Sequence, residues 1–158
     1  MTIAEELIRS NLFRGLSTSE LEKVAVIAKE VTFPAGFRIF SEGERAETLY
    51  VIKEGIIDLT FGFKLGKVKS EITIETKGQG DSVGWSALIP PHIYTLSGVS
   101  RNFVQALVFD GKSMLQVCKE DSKFGAVFMQ NVAELVGNRL TRLQSMFIQE
   151  VQRGVSVI

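Results

Sequence analysis

The hydrophobic pattern of this chain changes period twice. Up to about Pro34, and again after Asp110, apolar residues recur at helical spacing; between Phe37 and Phe109 short apolar runs alternate with glycine-containing turns. The runs are Phe37–Phe40, Thr48–Ile52, Ile56–Phe63, Val68–Glu75 and Phe103–Phe109. Their spacing of roughly 8 to 12 residues predicts an antiparallel sandwich or barrel. Period two in one stretch places Ile72, Ile74 and Thr76 on one face and Glu71, Thr73 and Glu75 on the other, one set inside and one in solvent. Gly43, Gly55, Gly62, Gly66 and Gly78 stand where turns or bulges are needed. The pattern predicts a mainly β core flanked by helices.

The helical ends have their own punctuation. Ile3, Ala4, Leu7 and Ile8 predict a short first helix, and Leu12, Phe13 and Leu16 continue an apolar face around Gly15. Ser17 with Glu20 forms a capping box in which serine caps the next helix and glutamate reaches back. That helix carries Leu21, Val24, Ala25, Ile27 and Ala28 and is expected to stop at Pro34 and Gly36. After the β region, Gly111 to Lys119 predicts a short helix with Met114, Leu115 and Cys118 on its apolar side, Cys118 acting as a small buried hydrophobe. A long helix from about Ser122 to Gln152 has a broad apolar face of Phe124, Val127, Phe128, Val132 and Leu135. A second stripe, Met129, Ala133, Val136, Leu140, Leu143 and Phe147, steps by four and three, which is a heptad seam. Two readings are open: a homodimer of parallel long helices with Leu140 and Leu143 near its centre, or a wide core-facing helix without a partner.

Composition narrows the function classes. A length of 158 residues suits one domain, 1–158, with enough chain to bury a core. Lys+Arg and Asp+Glu are 18 each, so the surface lacks the basic excess on which non-specific phosphate binding depends. One cysteine excludes an internal disulfide, and one histidine, His92, argues against the common Cys/His metal sites. The start MTIAEELIRS carries acidic residues early, and no run of about 18 apolar residues exists, so a cytoplasmic protein without a membrane-spanning segment is expected. No cofactor is expected. Neither a nucleophile–base pair, nor a metal cluster, nor paired catalytic carboxylates stand out, so the chain is not expected to be an enzyme.

The stretch Gly80 to Arg101 holds the candidate site. Gly80 and Gly84 permit backbone angles and approaches that a Cβ forbids. Trp85 to Leu88 reads as one helical turn, whose first amides suit an anion or a polar ligand group, and Pro90-Pro91 ends it. The stretch is either one wall of a ligand pocket or a tight structural turn that binds nothing.

A resemblance gives these readings a frame. Ile39-Phe40-Ser41-Glu42-Gly43-Glu44-Arg45-Ala46-Glu47-Thr48-Leu49-Tyr50-Val51-Ile52-Lys53-Glu54-Gly55 closely resembles the first signature of the cyclic-nucleotide-binding domain family, with only Phe40 off type. Leu12-Phe13-x-Gly15-Leu16-Ser17-x-x-Glu20-Leu21 is similar to the family's N-terminal helices. The resemblance implies an eight-stranded antiparallel β-roll, jelly-roll-like, over 36–110, N-terminal helices over 1–35, and C-terminal helices over 111–153 that often dimerise. It also places Gly84, Trp85, Ser86, Ala87, Leu88, Tyr94 and Thr95 in the family's phosphate-binding cassette. Members that bind cyclic nucleotides usually have glutamate after the glycine, for the ribose hydroxyl, and arginine about ten residues on, for the cyclic phosphate. Trp85 and Tyr94 stand there instead, with Thr95 at the hydroxyl position and Leu96 where alanine is common. The amides of Ser86 and Ala87 remain available to an anion in this reading, and Trp85 fills volume where a ribose would sit. Arg101 is expected well down the following strand, and His92 is expected to be a solvated loop residue. The function implied is a regulatory ligand-sensing module for an unidentified small molecule, binding cyclic nucleotides weakly if at all; the alternative is an unliganded dimerisation or protein-interaction module. A chain ending at Ile158 leaves no room for the winged helix-turn-helix of transcription-factor relatives, so direct DNA binding by this chain is not expected.

Overall fold

The computed structural model describes residues 1–156. Two helices open the chain: α1 (Ile3–Ile8), begun by a capping box of Thr2 and Glu5, and α2 (Thr18–Ala25), begun by the predicted box of Ser17 and Glu20. A 3-10 turn at Asn11–Phe13 joins them. Eight strands follow: β1 (Lys29–Phe33), β2 (Arg38–Phe40), β3 (Thr48–Glu54), β4 (Ile57–Leu65), β5 (Val68–Lys77), β6 (Ser82–Val83), β7 (Ser97–Ser100) and β8 (Val104–Asp110). They pair antiparallel as two four-stranded sheets, ordered β1-β8-β3-β6 and β2-β7-β4-β5. The chain closes with α3 (Gly111–Glu120) and α4 (Ser122–Ser156). This is the expected β-roll between helical ends.

Two local readings are corrected. The second helix does not run to Pro34: α2 stops at Ala25, Val26 is exposed, and Lys29–Phe33 pairs with β8 from Val104 to Val108. The roll therefore begins near residue 29, before the expected boundary of 36. Val31, Thr32 and Phe33 favour a pleated surface, and a free strand edge on β8 outweighs the helical spacing of Ile27 and Ala28. Burial in β5 also departs from simple alternation. Leu59 faces Glu75 and Thr60 faces Thr73, so Ile74 is an extra residue in the ladder. This bulge leaves Ile74 and Glu75 both buried, at 5% and 7% exposure, while Ile72 is 42% exposed.

The sheet containing β3 and β8 is buried on both sides. Leu49, Val51, Leu107 and Phe109 face a helical core with Leu7, Phe13, Leu21, Met114, Phe124 and Phe128. Ile52, Val104 and Ala106 face the roll interior with Phe40, Leu59, Val83 and Tyr94. Tight glycine contacts set the C-terminal helices: a Cβ on Gly111 would lie 2.6 Å from the Ala87 carbonyl oxygen, and one on Gly125 would lie 2.7 Å from that of Cys118. Cys118 is half-buried at this α3–α4 crossing, and burial pushes its thiol above the ordinary range, which keeps it protonated.

At about 1.5 Å per residue, the 35 residues of α4 span on the order of 50 Å. Its first half is anchored by Phe124, Phe128 and Val132 in the helical core. Asn131, buried among them, donates through Nδ2 to the carbonyls of Leu12 and Arg14, both at 2.8 Å. It thereby satisfies the end of the 3-10 turn from a distant helix. Asn131→Ala leaves two carbonyls without this donor. Urea unfolding is expected to show a loss of about 1–3 kcal/mol at unchanged m-value. A loss below about 0.5 kcal/mol would mean that water replaces the amide without cost.

Candidate ligand site

The cassette turn begins where only glycine fits. Gly84 has φ +89°, and a Cβ there would lie 2.8 Å from the Thr48 carbonyl oxygen. Trp85–Leu88 forms the predicted turn as a 3-10 segment. Within it the Ala87 amide donates to the Gly84 carbonyl at 3.0 Å, so that donor closes the turn instead of facing a ligand. The exit is held by His92, which is half-buried with φ 58° and is not the solvated residue expected. Its Nδ1 lies 3.2 Å and 3.1 Å from the carbonyl oxygens of Ser86 and Ala87, where a protonated Nδ1 donates to both. The segment then zips onto the signature turn: the Ala46 amide donates to the His92 carbonyl at 2.7 Å, and the Tyr94 amide donates to the Glu44 carbonyl at 2.9 Å.

Tyr94 is turned inward and its hydroxyl is committed. It donates to the Thr48 carbonyl at 2.8 Å, while burial holds the phenol above its ordinary range and therefore protonated. The ring stacks on Phe40 with centroids 4.2 Å apart, and Phe40 stacks in turn on Tyr50 at 5.8 Å. Phe40 fits because position 98 is glycine; a Cβ there would meet its ring at 2.7 Å. Phe40 and Tyr94, far apart in sequence, are thus contact partners, and together they fill the roll interior beside the Gly84 turn.

The remaining side is closed by α4. The Arg139 guanidinium lies over the Trp85 ring, 4.9 Å from its centroid, within cation–π range. Arg139 also pairs with Glu75 at 3.5 Å, and Lys77 reaches the same Glu75 oxygen at 3.3 Å. Both members of the Arg139–Glu75 pair are nearly buried, with side chains 11% and 9% exposed. Burial lowers the hold of Arg139 on its proton, and Glu75 opposes that shift. One turn further on, Arg142 Nε donates to the Ile74 carbonyl at 2.6 Å, and Met146 packs on the roll interior.

What is left between cassette and helix is a hollow of about 10 Å3, close to the space of a single water. Gly84, Trp85, Ser86, Tyr94 and Thr95 line it, together with Phe40, Leu59, Leu96 and Arg139. Ala87 and Leu88 do not: Leu88 points into the helical core, and Ala87 abuts Gly111 and borders a separate hollow of about 200 Å3 behind the turn. Arg101 lies outside, paired with Asp58 at 2.7 Å. Arg139 and Glu75 are the site residues that the sequence reading missed. Arg139 lies one position before the seam residue Leu140, and Glu75 sits in a strand whose simple alternation the bulge interrupts.

Among the described residues, no helix is long and apolar enough to cross a membrane, and no group of three His, Cys, Asp or Glu side chains is placed to hold a metal ion. Of the seam, Met129 and Val136 pack partly against the helical core, whereas Leu140, Leu143 and Phe147 are 59%, 39% and 69% exposed.

Comparison with known proteins agrees with this geometry. A CRP-like cAMP-activated global transcriptional regulator of Mycobacterium tuberculosis is 27% identical over 106 residues, covering 67% of this chain and 46% of the regulator. The chain thus spans about half the length of the curated relatives it matches. Among solved structures, a Geobacter metallireducens protein provisionally assigned as cyclic nucleotide-binding superposes with TM-score 0.73 at 28% identity, over 89% of this chain and 99% of that one. The Thermus thermophilus catabolite activator protein gives TM-score 0.73 at 21% identity, over 90% of this chain and 63% of that one. The regulatory domain of Toxoplasma gondii PKA, solved with cAMP, gives 0.71 at 21%, over 85% and 49% respectively. Residues 30–121 match the sequence profile of the cyclic nucleotide-binding domain. With the roll, the cassette turn and the long final helix in place, the chain belongs to the cyclic nucleotide-binding domain family.

Proposed function

We propose that this domain is a regulatory sensor in which a small ligand other than a cyclic nucleotide enters between the cassette and α4 and displaces the helix. The observation that carries this reading is the contact of Arg139 with Trp85. It joins the ligand-facing turn directly to the long helix, so occupancy of one is felt by the other. The family frame supports a ligand site, because Gly80, Gly84 and the turn between Trp85 and Leu88 are kept.

Cyclic nucleotides fit poorly for a physical reason. A cyclic phosphodiester buried here would meet neither a cassette arginine nor the Tyr94 hydroxyl, which is already bonded to Thr48. Burying an underpaired anion costs several kcal/mol, on the order of ~2–5 for a broken buried charge pair. The Phe40–Tyr94 stack must also part before any ring enters.

A second reading has its own observation. The hollow is nearly filled, and Leu140, Leu143 and Phe147 are exposed along α4, which favours a module whose working surface is the helix seam. We place a second copy of the chain on that seam under both readings, since residues spaced four and three apart complement themselves in a parallel pair.

Three outcomes test these proposals. Calorimetry is expected to show no micromolar binding of cyclic AMP or cyclic GMP. Trp85→Glu with Tyr94→Arg is expected to restore little, because Phe40 still occupies the roll; adding Phe40→Leu should raise cyclic AMP affinity at least tenfold over the double variant. Tight wild-type binding of either nucleotide would overturn the reading. For function, a thermal-shift screen of metabolites is expected to find a stabilising compound that also changes hydrogen exchange over residues 139–147. A screen without such a compound would leave the interaction module as the better account. For assembly, Leu140→Glu with Leu143→Glu is expected to yield monomers by light scattering with an unchanged circular dichroism spectrum. A wild-type chain that is monomeric at high concentration would remove the dimer.

A further inference from the structure

Resting on the sensor reading, we infer that the ligand is an anion attached to a flat apolar group, with Arg139 of α4 as its counter-charge. Two residues lining the hollow beside the cassette each carry a buried donor without an acceptor: Nε of Arg139 and Nε1 of Trp85 have no hydrogen-bond partner among the described residues. An orphaned buried donor is costly, and two at one hollow call for an acceptor between them. The hydroxyl of Thr95, 3.5 Å from Arg139 Nη1, borders the same space.

The local charge has the matching sign. Arg139, Arg142 and Lys77 converge on this end of the roll, and Glu75 is the acid paired with two of them. The positive charge that a cassette arginine would supply is therefore present, but carried by the helix that closes the site. The remaining walls are apolar or aromatic: Phe40, Leu59, Leu96 and the ring faces of Trp85 and Tyr94. A planar ligand can replace the guanidinium on the Trp85 face. Its anionic group then accepts from Arg139 and from the Trp85 indole N–H, satisfying both orphans at once. Arg139 leaves Glu75 in that exchange, which is how the ligand would shift α4.

Trp85 is the single tryptophan of the chain, so its fluorescence reads this site alone. The probes are phenyl phosphate, benzoate, inorganic phosphate and the neutral benzyl alcohol. Phenyl phosphate or benzoate is expected to change Trp85 emission saturably, and the stronger of the two identifies the anionic group. Arg139→Gln should weaken that probe at least tenfold, Arg139→Lys less, and Glu75→Gln, which frees Arg139, should tighten it several-fold. Arg142→Gln loosens the same helix without touching the hollow and should change affinity less than threefold. Benzyl alcohol and inorganic phosphate, each carrying half of the ligand, should bind at least tenfold more weakly. Equal affinity for benzyl alcohol and phenyl phosphate, or an affinity unmoved by Arg139→Gln, overturns the inference while leaving the sensor reading intact. Equal losses in Arg142→Gln and Arg139→Gln also overturn it, since they mark a general effect of the lid. If no probe gives a saturable response in the wild type or in Glu75→Gln, the inference falls, and the metabolite screen alone decides the sensor reading.

Discussion

The stack of Tyr94 on Phe40 governs the rest of this site. It accompanies the commitment of the Tyr94 hydroxyl to Thr48, requires glycine at position 98, and leaves a hollow of only about 10 Å3 beside the turn. An aromatic pair contributes about 0.5–1.5 kcal/mol beyond the area it buries. Phe33, Phe37 and Tyr50 extend the series by further ring contacts between 5.4 and 6.1 Å. A ligand that enters must offset this packing as well as its own desolvation. Phe40 and Tyr94, separated by more than fifty residues of sequence, therefore act as one packing unit that fills this end of the roll.

Residues that the pattern made legible are those whose role is local. The capping box of Ser17 and Glu20, the Gly84 turn and the apolar face of Phe124, Phe128 and Val132 depend on neighbours within a few positions, and each stands where the sequence places it. Residues whose role is set by distant contacts were not legible. Lys29–Phe33 is a strand because β8 offers an edge, and nothing within its own five residues requires that. Glu75 is buried because Ile74 is an extra residue opposite β4, and a bulge of this kind has no fixed local signature. Arg139 looks like a solvated charge beside a heptad seam until the roll is placed under it. In sequence His92 looks like a solvated loop residue, because its partners, the carbonyls of Ser86 and Ala87, carry no side-chain signal. Phe40 was visible as an oddity at the sequence level, but its meaning needed Tyr94 beside it.

The same stretch of α4 faces two ways. Arg139, Arg142 and Met146 hold it to the roll, while Leu140, Leu143 and Phe147, each the next residue along, are exposed. A helix advances about 100° per residue, given 3.6 residues per turn, so neither set can turn without carrying the other. If a ligand draws Arg139 away from Glu75 and a second chain covers the seam, the two events share one rigid element and one coupling free energy. Linkage then fixes a symmetry that needs no further structural detail: whatever factor the ligand contributes to dimer affinity, dimer formation contributes to ligand affinity. The sign of that factor depends on which α4 orientation best pairs its seam. In this structure Met129 and Val136, two of the first three seam positions, pack partly against the helical core, whereas Ala133 between them is exposed. A second chain on the seam would then meet mainly Leu140, Leu143 and Phe147, its exposed large residues. If the proposed release of Arg139 occurs, it frees a segment beyond that core contact, and the coupling would act through Leu140 to Phe147 rather than along the whole helix.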